Sequence, residues 1–191
     1  MGAIRTLVVG AFCGLAAVAG PITFTETQSG IGTFNGTPFN NALVTIVLTG
    51  DTSGVTNPVP GVLNLPGTMT ITVAGIGSGT LTDAGVVFVN MSGAVGMEDL
   101  TIPADILDTH NAGFLGYGLT TSIGPFSSGP GGNPADTFPT TFGDFVLSSS
   151  GNPDHQATFS AVTGTPEPGT LALLGAGIAG IGLLRRRGKA S

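Results

Sequence analysis

The chain has 191 residues, of which only 8% are Asp, Glu, Lys or Arg, against about 25% in an average soluble domain. Its 33 Gly, 13 Pro, single Cys and lack of Trp exclude a coiled coil, an ordinary helical cytosolic enzyme and a disulfide-held scaffold. From Gly20 to Thr165 there is no Lys or Arg, whereas ten acidic residues lie there. Because phosphate binding needs basic side chains, nucleic acid is excluded as a direct partner.

Residues 1–19 have the pattern of a secretory signal peptide. Arg5 gives the charged start, and Leu7 to Val18 form an apolar stretch. Ala17 and Ala19 supply the small residues that precede a cleavage site, so we expect export through the Sec machinery and cleavage after Ala19. The apolar stretch is shorter than the roughly 20 residues of a spanning helix. An uncleaved anchor or a buried helix is the alternative.

The body, residues 20–163, shows the two-residue period of β-strands. In Thr68 to Val73 the apolar side chains alternate with Thr, and Ile22 to Glu26 follows the same pattern. Ala42 to Thr49 has Val44, Ile46 and Leu48 on one face. This period, in segments rich in β-branched residues and separated by Gly, Pro, Asn and Asp, predicts strands joined by turns. Three further strands are predicted at Gly85–Met91, Phe142–Leu147 and Gln156–Val162.

Many short strands separated by turns predict an all-β fold, an antiparallel β-sandwich or jelly-roll-like body. Ala104 to Thr109 allows one helical turn after Pro103, and Ser127 to Pro139 is predicted to be a loop. The strands would present Thr hydroxyls on their outer face, where most soluble proteins have charges.

The body lacks the usual signatures of catalysis. Its only histidines are His110 and His155, and the G-x-S-x-G motif of a nucleophilic serine does not occur. No pair of carboxylates stands out as a glycosidase pair. We therefore predict a protein that is not an enzyme and that has no cofactor.

An acidic segment offers one metal-binding hypothesis. Glu98, Asp99, Asp105, Asp108 and His110 lie within thirteen residues, with no basic residue nearby. Oxygen ligands in loops suit Ca²⁺, so Asp105 and Asp108 are its candidate ligands. The spacing matches no EF-hand, and a solvated acidic edge is the alternative interpretation.

The C-terminal segment, residues 164–189, has three features in a fixed order. Pro166, Glu167 and Pro168 precede fourteen uncharged residues, Leu171 to Leu184, and Arg185, Arg186 and Arg187 follow. The uncharged run predicts a short transmembrane helix over 170–184. Basic residues stay on the cytoplasmic side, which places the body outside the membrane. A simple membrane anchor is the alternative to a processed tail.

This order of features resembles a PEP-CTERM protein-sorting signal over Pro166 to about Lys189. The resemblance implies recognition by exosortase, a membrane protease, with processing near Pro166, Glu167 and Pro168. It also implies release or transfer to the cell surface of a bacterium that makes exopolysaccharide. The inner membrane and exosortase are therefore expected partners, and exopolysaccharide is a further candidate.

Together these features predict a non-enzymatic exported protein of the cell surface or the exopolysaccharide-rich biofilm matrix. Its body would lie in the periplasm while the tail is anchored, and then at the surface or outside the cell. The alternative is a secreted Ca²⁺-dependent carbohydrate-binding module or a carboxylate-based hydrolase.

Overall fold

A computed structural model describes residues 19–128, 136–149 and 156–164, together with residues 175, 177 and 178. The described body is built from strands and two single-turn 3-10 helices, Thr52–Gly54 and Ala112–Phe114. The strands are β1 (Pro21–Phe34), β2 (Thr37–Asp51), β3 (Thr56–Val59), β4 (Val62–Val73), β5 (Gly77–Thr80), β6 (Gly85–Asn90), β7 (Ala94–Asp99), β8 (Ala104–His110), β9 (Ile123–Ser128), β10 (Thr137–Phe138), β11 (Phe145–Ser149) and β12 (Ala157–Thr163).

The long hairpin of β1 and β2 organises the sheet. Its two-residue turn is Asn35-Gly36, and both residues have positive φ, 51° and 72°, as a type I′ hairpin turn requires. On the other side of β1, the first half pairs with β12 and the last residues pair with β11. From β2 the sheet continues through β4, β6 and β7 to β8, and every pairing is antiparallel.

The sheet curls so that β8, the last strand in its order, contacts β9, which pairs with β12 on the other side of β1. The backbone N–H of His110, at the end of β8, donates to Ser128 Oγ on β9 at 3.0 Å. The Asn111 side chain donates to the carbonyl of Ser127 at 3.0 Å. The prediction of an all-β antiparallel body is thus confirmed, but its strands form one continuous sheet and not the two separate sheets of a sandwich.

The core lies inside the curled sheet and follows the predicted alternation. Met69, Ile71 and Val73 are buried, as are Val44, Ile46 and Leu48 on the neighbouring strand. A cluster of aromatic rings extends the core toward the Asn35-Gly36 turn, where the Phe145 ring packs edge-on against Phe34 at 5.6 Å. The cluster comprises Phe34, Phe39, Phe138, Phe142 and Phe145.

Two local predictions were wrong. The segment predicted as a helical turn, Ala104 to Thr109, belongs to strand β8 and pairs with β7 along its length. One isolated helical turn is unstable by itself, whereas the ladder satisfies the same backbone groups cooperatively. The predicted loop Ser127 to Pro139 contributes residues to β9 and β10, and residues 129–135 lie outside the described part.

Several predictions concern residues that the structure does not describe. These are the signal segment up to residue 18, the residues Pro166 to Pro168 and Arg185 to Arg187, and His155. Most of the predicted transmembrane helix over 170–184 also lies outside the described residues, which include only 175, 177 and 178 of it. Among the described residues, no helix is both long enough and apolar enough to cross a membrane.

Candidate functional site

The acids of the predicted metal segment lie on the β7–β8 hairpin. Glu98 faces Asp105 directly across the ladder, and Asp108 lies opposite Gly96. A β-bulge shifts the register between these two pairs, and an extra residue reverses the alternation of faces. Asp105 and Asp108 therefore share one face of β8, although their spacing of three would place them on opposite faces of a regular strand.

The other two members of the segment point elsewhere. Asp99 is buried, and its Oδ1 accepts a hydrogen bond from the Thr101 backbone at 2.8 Å. His110 is exposed, and its Nε2 lies 3.2 Å from Ser92 Oγ. Within the described ranges, no group of three or more His, Cys, Asp or Glu side chains is arranged to hold a metal ion.

A further acid, Glu26, lies inside the sheet on β1. It is fully buried, and its Oε1 accepts a hydrogen bond of 2.7 Å from Thr109 Oγ1 on β8. Its Oε2 has no hydrogen-bond partner among the described residues, and the same holds for the amide atoms of Gln28, also buried on β1. Glu26, Gln28 and Thr109 therefore place buried polar groups among the mostly apolar side chains of the interior.

Burial raises the pKa of three of these acids, Glu26, Glu98 and Asp105. Burial raises the pKa of Glu26 well above its ordinary value, and the negative charges of Asp108 and Asp105 raise it further against the opposing hydrogen bond from Thr109. Burial likewise raises the pKa of Glu98, assisted by Asp105 and Asp99. The pKa of Asp105 is raised by burial and by Asp108. We call Glu26, Glu98, Asp105 and Asp108 the acidic band, because each of them raises the pKa of another member or has its own pKa raised by one.

This band falls short of a Ca²⁺ site by itself. Ca²⁺ takes six to eight oxygen ligands, whereas the facing pair Glu98 and Asp105 offers four carboxylate oxygens. The assignment of Asp105 and Asp108 to Ca²⁺ therefore stays a prediction, as does the alternative of a Ca²⁺-dependent carbohydrate-binding module or carboxylate-based hydrolase. Sequence reasoning did not connect Glu26 to this band, although its place after Ile22 and Phe24 in the alternation marks it as inward-facing.

An apolar cleft of about 210 Å³ opens where β4 begins and β6 ends, which by the register of the antiparallel strands is also the end of the sheet where β1 begins. Leu63, Val89, Met91 and Tyr117 are among its lining residues. The Tyr117 hydroxyl already donates to the carbonyl of Thr121 at 2.8 Å. The cleft therefore offers an apolar surface and few free polar groups.

Beyond the last residue of the body, the chain matches a known family model. Residues 165–187 match the model of the PEP-CTERM protein-sorting motif. The chain carries a PEP-CTERM protein-sorting motif. The match includes Pro166, Glu167 and Pro168, the apolar run, and Arg185 to Arg187, so the predicted resemblance is confirmed.

The PEP-CTERM motif assigns the chain to an export route. It implies an exported protein that is transiently anchored in the membrane and processed by exosortase. Comparison with curated proteins and with solved structures found no match for this chain. The motif therefore defines how the protein is sorted.

Proposed function

We propose that this chain is a non-enzymatic structural protein of the cell surface or extracellular matrix, delivered there by its PEP-CTERM motif. The observation that carries the proposal is the match at residues 165–187. Residues 1–19 direct export, and the apolar run over 170–184 holds the chain across the membrane. Arg185 to Arg187 remain on the cytoplasmic side.

The junction between body and motif supports processing at residues 166–168. The last described backbone bond of the body runs from the N–H of Gly164 to the carbonyl of Pro21, at 2.7 Å. The matched motif begins at the next residue. Proline keeps its neighbours out of a helix and extended, so a protease can reach this linker. Cleavage there removes the motif and leaves the hydrogen bonds of the sheet intact.

The surface of the body supports a structural role in a hydrated matrix. Hydroxyl pairs link neighbouring strands on the outside, with Thr72 and Ser78 at 2.8 Å and Ser127 and Thr158 at 2.8 Å. Such cross-strand pairs stabilise a sheet without charged side chains. A hydroxyl-rich surface also hydrogen-bonds readily to polysaccharide, which is the partner that we propose in the matrix.

The test compares three strains of a host that contains exosortase. One expresses the full chain, one expresses a chain truncated after Gly164, and one expresses the full chain without exosortase. We expect the full chain in the surface or matrix fraction, the truncated body in the soluble periplasmic fraction, and the third protein in the membrane. The proposal is refuted if the matrix fraction holds equal amounts in all three strains.

A further inference from the structure

The most exposed apolar side chains of the body gather at one end. Met91 is 78% exposed, Val162 63%, Leu115 59% and Val59 54%. The other exposed large apolar side chains in the described ranges of 19–164 reach at most the 48% of Leu43. Exposed apolar groups that cluster mark an interaction surface more often than scattered ones do.

Of the four side chains, Met91 lines the apolar cleft, and Val59 and Leu115 lie on segments next to its lining residues. Val59 pairs with Val62 at the start of β4, and Val62 pairs with Asn90 at the end of β6. The next residue, Met91, lines the cleft and donates its N–H to the carbonyl of Gly61 at 3.0 Å. Leu115 immediately precedes the cleft-lining segment 116–118.

The fourth side chain marks the point where the chain leaves the body. Val162 is next to Thr163, whose N–H donates to Ser122 Oγ at 2.9 Å. Ser122 follows Thr121, which accepts the hydrogen bond from the cleft residue Tyr117. The apolar rim, defined as Val59, Met91, Leu115 and Val162, therefore shares one end of the sheet with the exit to the sorting motif.

The length of the linker fixes how far this end can lie from the membrane. Six residues, 165–170, lie between Gly164 and Leu171, the start of the apolar run, so seven Cα-to-Cα steps join the two. A fully extended chain spans at most about 3.3–3.6 Å per residue, so the linker reaches about 25 Å at most. The end that carries the apolar rim is thus the end that the motif holds close to the bilayer.

The charges of the body favour the same orientation. Asp144 lies at the opposite end of β1, where its carbonyl accepts the N–H of Asn35. Glu98 and Asp105 lie on the β7–β8 flank. Asp51, opposite Pro21, is at the rim end, and its carboxylate accepts hydrogen bonds from the N–H and hydroxyl of Ser53. Contact through the rim keeps the flank and far-end acids away from a negatively charged lipid surface.

We infer that the apolar rim docks on the membrane interface while the motif anchors the chain, with its side chains among the lipid headgroups and the first acyl carbons. Apolar side chains at this depth gain free energy from burial, as in interfacial helices. Docking holds linker residues 165–168 at the membrane surface, where a membrane protease acts. The inference rests on the membrane anchoring in the proposed function and adds a defined orientation of the body.

The test places a fluorophore at each end of the full-length protein. In a Cys13→Ser background, NBD is attached at Thr120→Cys, in the cleft loop, or at Asn40→Cys, toward the far end of β2. The proteins are reconstituted in phosphatidylcholine vesicles that contain a headgroup-region nitroxide lipid. We expect several-fold stronger quenching at position 120 than at position 40.

A variant pair separates rim docking from a general effect of hydrophobicity. Met91→Ser with Leu115→Ser should reduce quenching at position 120 to the level at position 40, while co-sedimentation with vesicles persists. The matched control, Ile31→Thr with Leu43→Thr, removes two exposed apolar side chains elsewhere and should leave quenching at position 120 unchanged.

Three results would overturn the inference. Equal quenching at both positions in co-sedimenting protein removes the docking and leaves the sorting motif intact. A blue-shifted label at position 120 without lipid quenching means that another part of the chain fills the cleft. Failure to co-sediment removes both the docking and the membrane anchoring on which it rests.

Discussion

Replacing Glu26 with Gln tests whether the buried acid of the band is protonated in the folded protein. Gln has nearly the same shape and can accept the hydrogen bond that Thr109 now donates to Glu26 at 2.7 Å. Unlike Glu, it carries no charge at any pH. The substitution therefore removes the titration of the site and preserves the packing.

The sign of the effect follows from the raised pKa. Because burial raises the folded-state pKa of Glu26 above its ordinary value of 4.5, the folded state holds the proton more tightly than the unfolded state. The stabilisation is complete below about pH 4.5 and is lost as the pH rises through the folded-state pKa. In that window the free energy of unfolding falls by about 1.4 kcal/mol per pH unit. Glu26→Gln should not show this fall. The free energy of unfolding of the variant should therefore exceed that of the wild type by an amount that grows with pH.

Urea unfolding of the full chain in mild detergent measures this difference between pH 4.5 and pH 7.5. Tyr117 is the single Tyr of the chain and is buried, so its fluorescence reports the body. The two proteins should have similar stability at pH 4.5 and diverge above it. Glu98→Gln, which changes a partly exposed acid of the same band, is the matched control and should give a smaller divergence. A constant offset between wild type and Glu26→Gln at all pH values would refute the reasoning.

Three further substitutions, two of them with a comparison variant, test the acidic band and the core. Asp105→Asn removes one of two like charges that face each other across the ladder, the other being Glu98. The free energy of unfolding at pH 7, measured by urea titration, should therefore rise by about 0.2–1 kcal/mol. A variant that is less stable than the wild type only when Ca²⁺ is present would contradict this and favour a metal site. Gly32→Ala places a Cβ 2.0 Å from a backbone oxygen of β11, so the free energy of unfolding should fall by about 1–3 kcal/mol. In the comparison variant Gly54→Ala the new Cβ is 3.7 Å from its nearest neighbour, so the free energy of unfolding should change by no more than about 0.5 kcal/mol. Phe145→Ala removes a buried ring of the aromatic cluster and should lower the free energy of unfolding by about 3–5 kcal/mol. Phe142→Ala should lower it less, because the Phe142 ring is partly exposed. Equal losses for the two variants would contradict the assigned core.

The alternation of side chains made much of the sheet predictable. The inward positions Met69, Ile71 and Val73 are buried as expected. A shift of one residue would place all three apolar side chains on the outer face, so the alternation itself determines which face is buried. The helical turn at Ala104 to Thr109 was misassigned because a β-bulge interrupts the period of β8, so its apolar residues no longer alternate. The closure of the sheet between β8 and β9 depends on contacts between segments that no local pattern connects.

The candidate sites likewise differ in whether the local sequence alone could predict them. The sorting motif is contiguous in sequence, so its order of Pro-Glu-Pro, apolar run and Arg cluster could be identified directly. The link between Glu26 and Thr109 joins residues 83 positions apart, and only the curled sheet brings them together. The apolar rim likewise combines side chains from four separate segments, each of which looks like an ordinary turn or strand end in the sequence.

Intact mass spectrometry of the protein from envelope and medium, with and without exosortase, tests the sorting account most directly. The account predicts that the form released from cells with exosortase ends within or just before residues 166–168, and that cells without it retain the unprocessed tail in the membrane. A protein that still ends at Ser191 in every fraction of both strains would contradict the account.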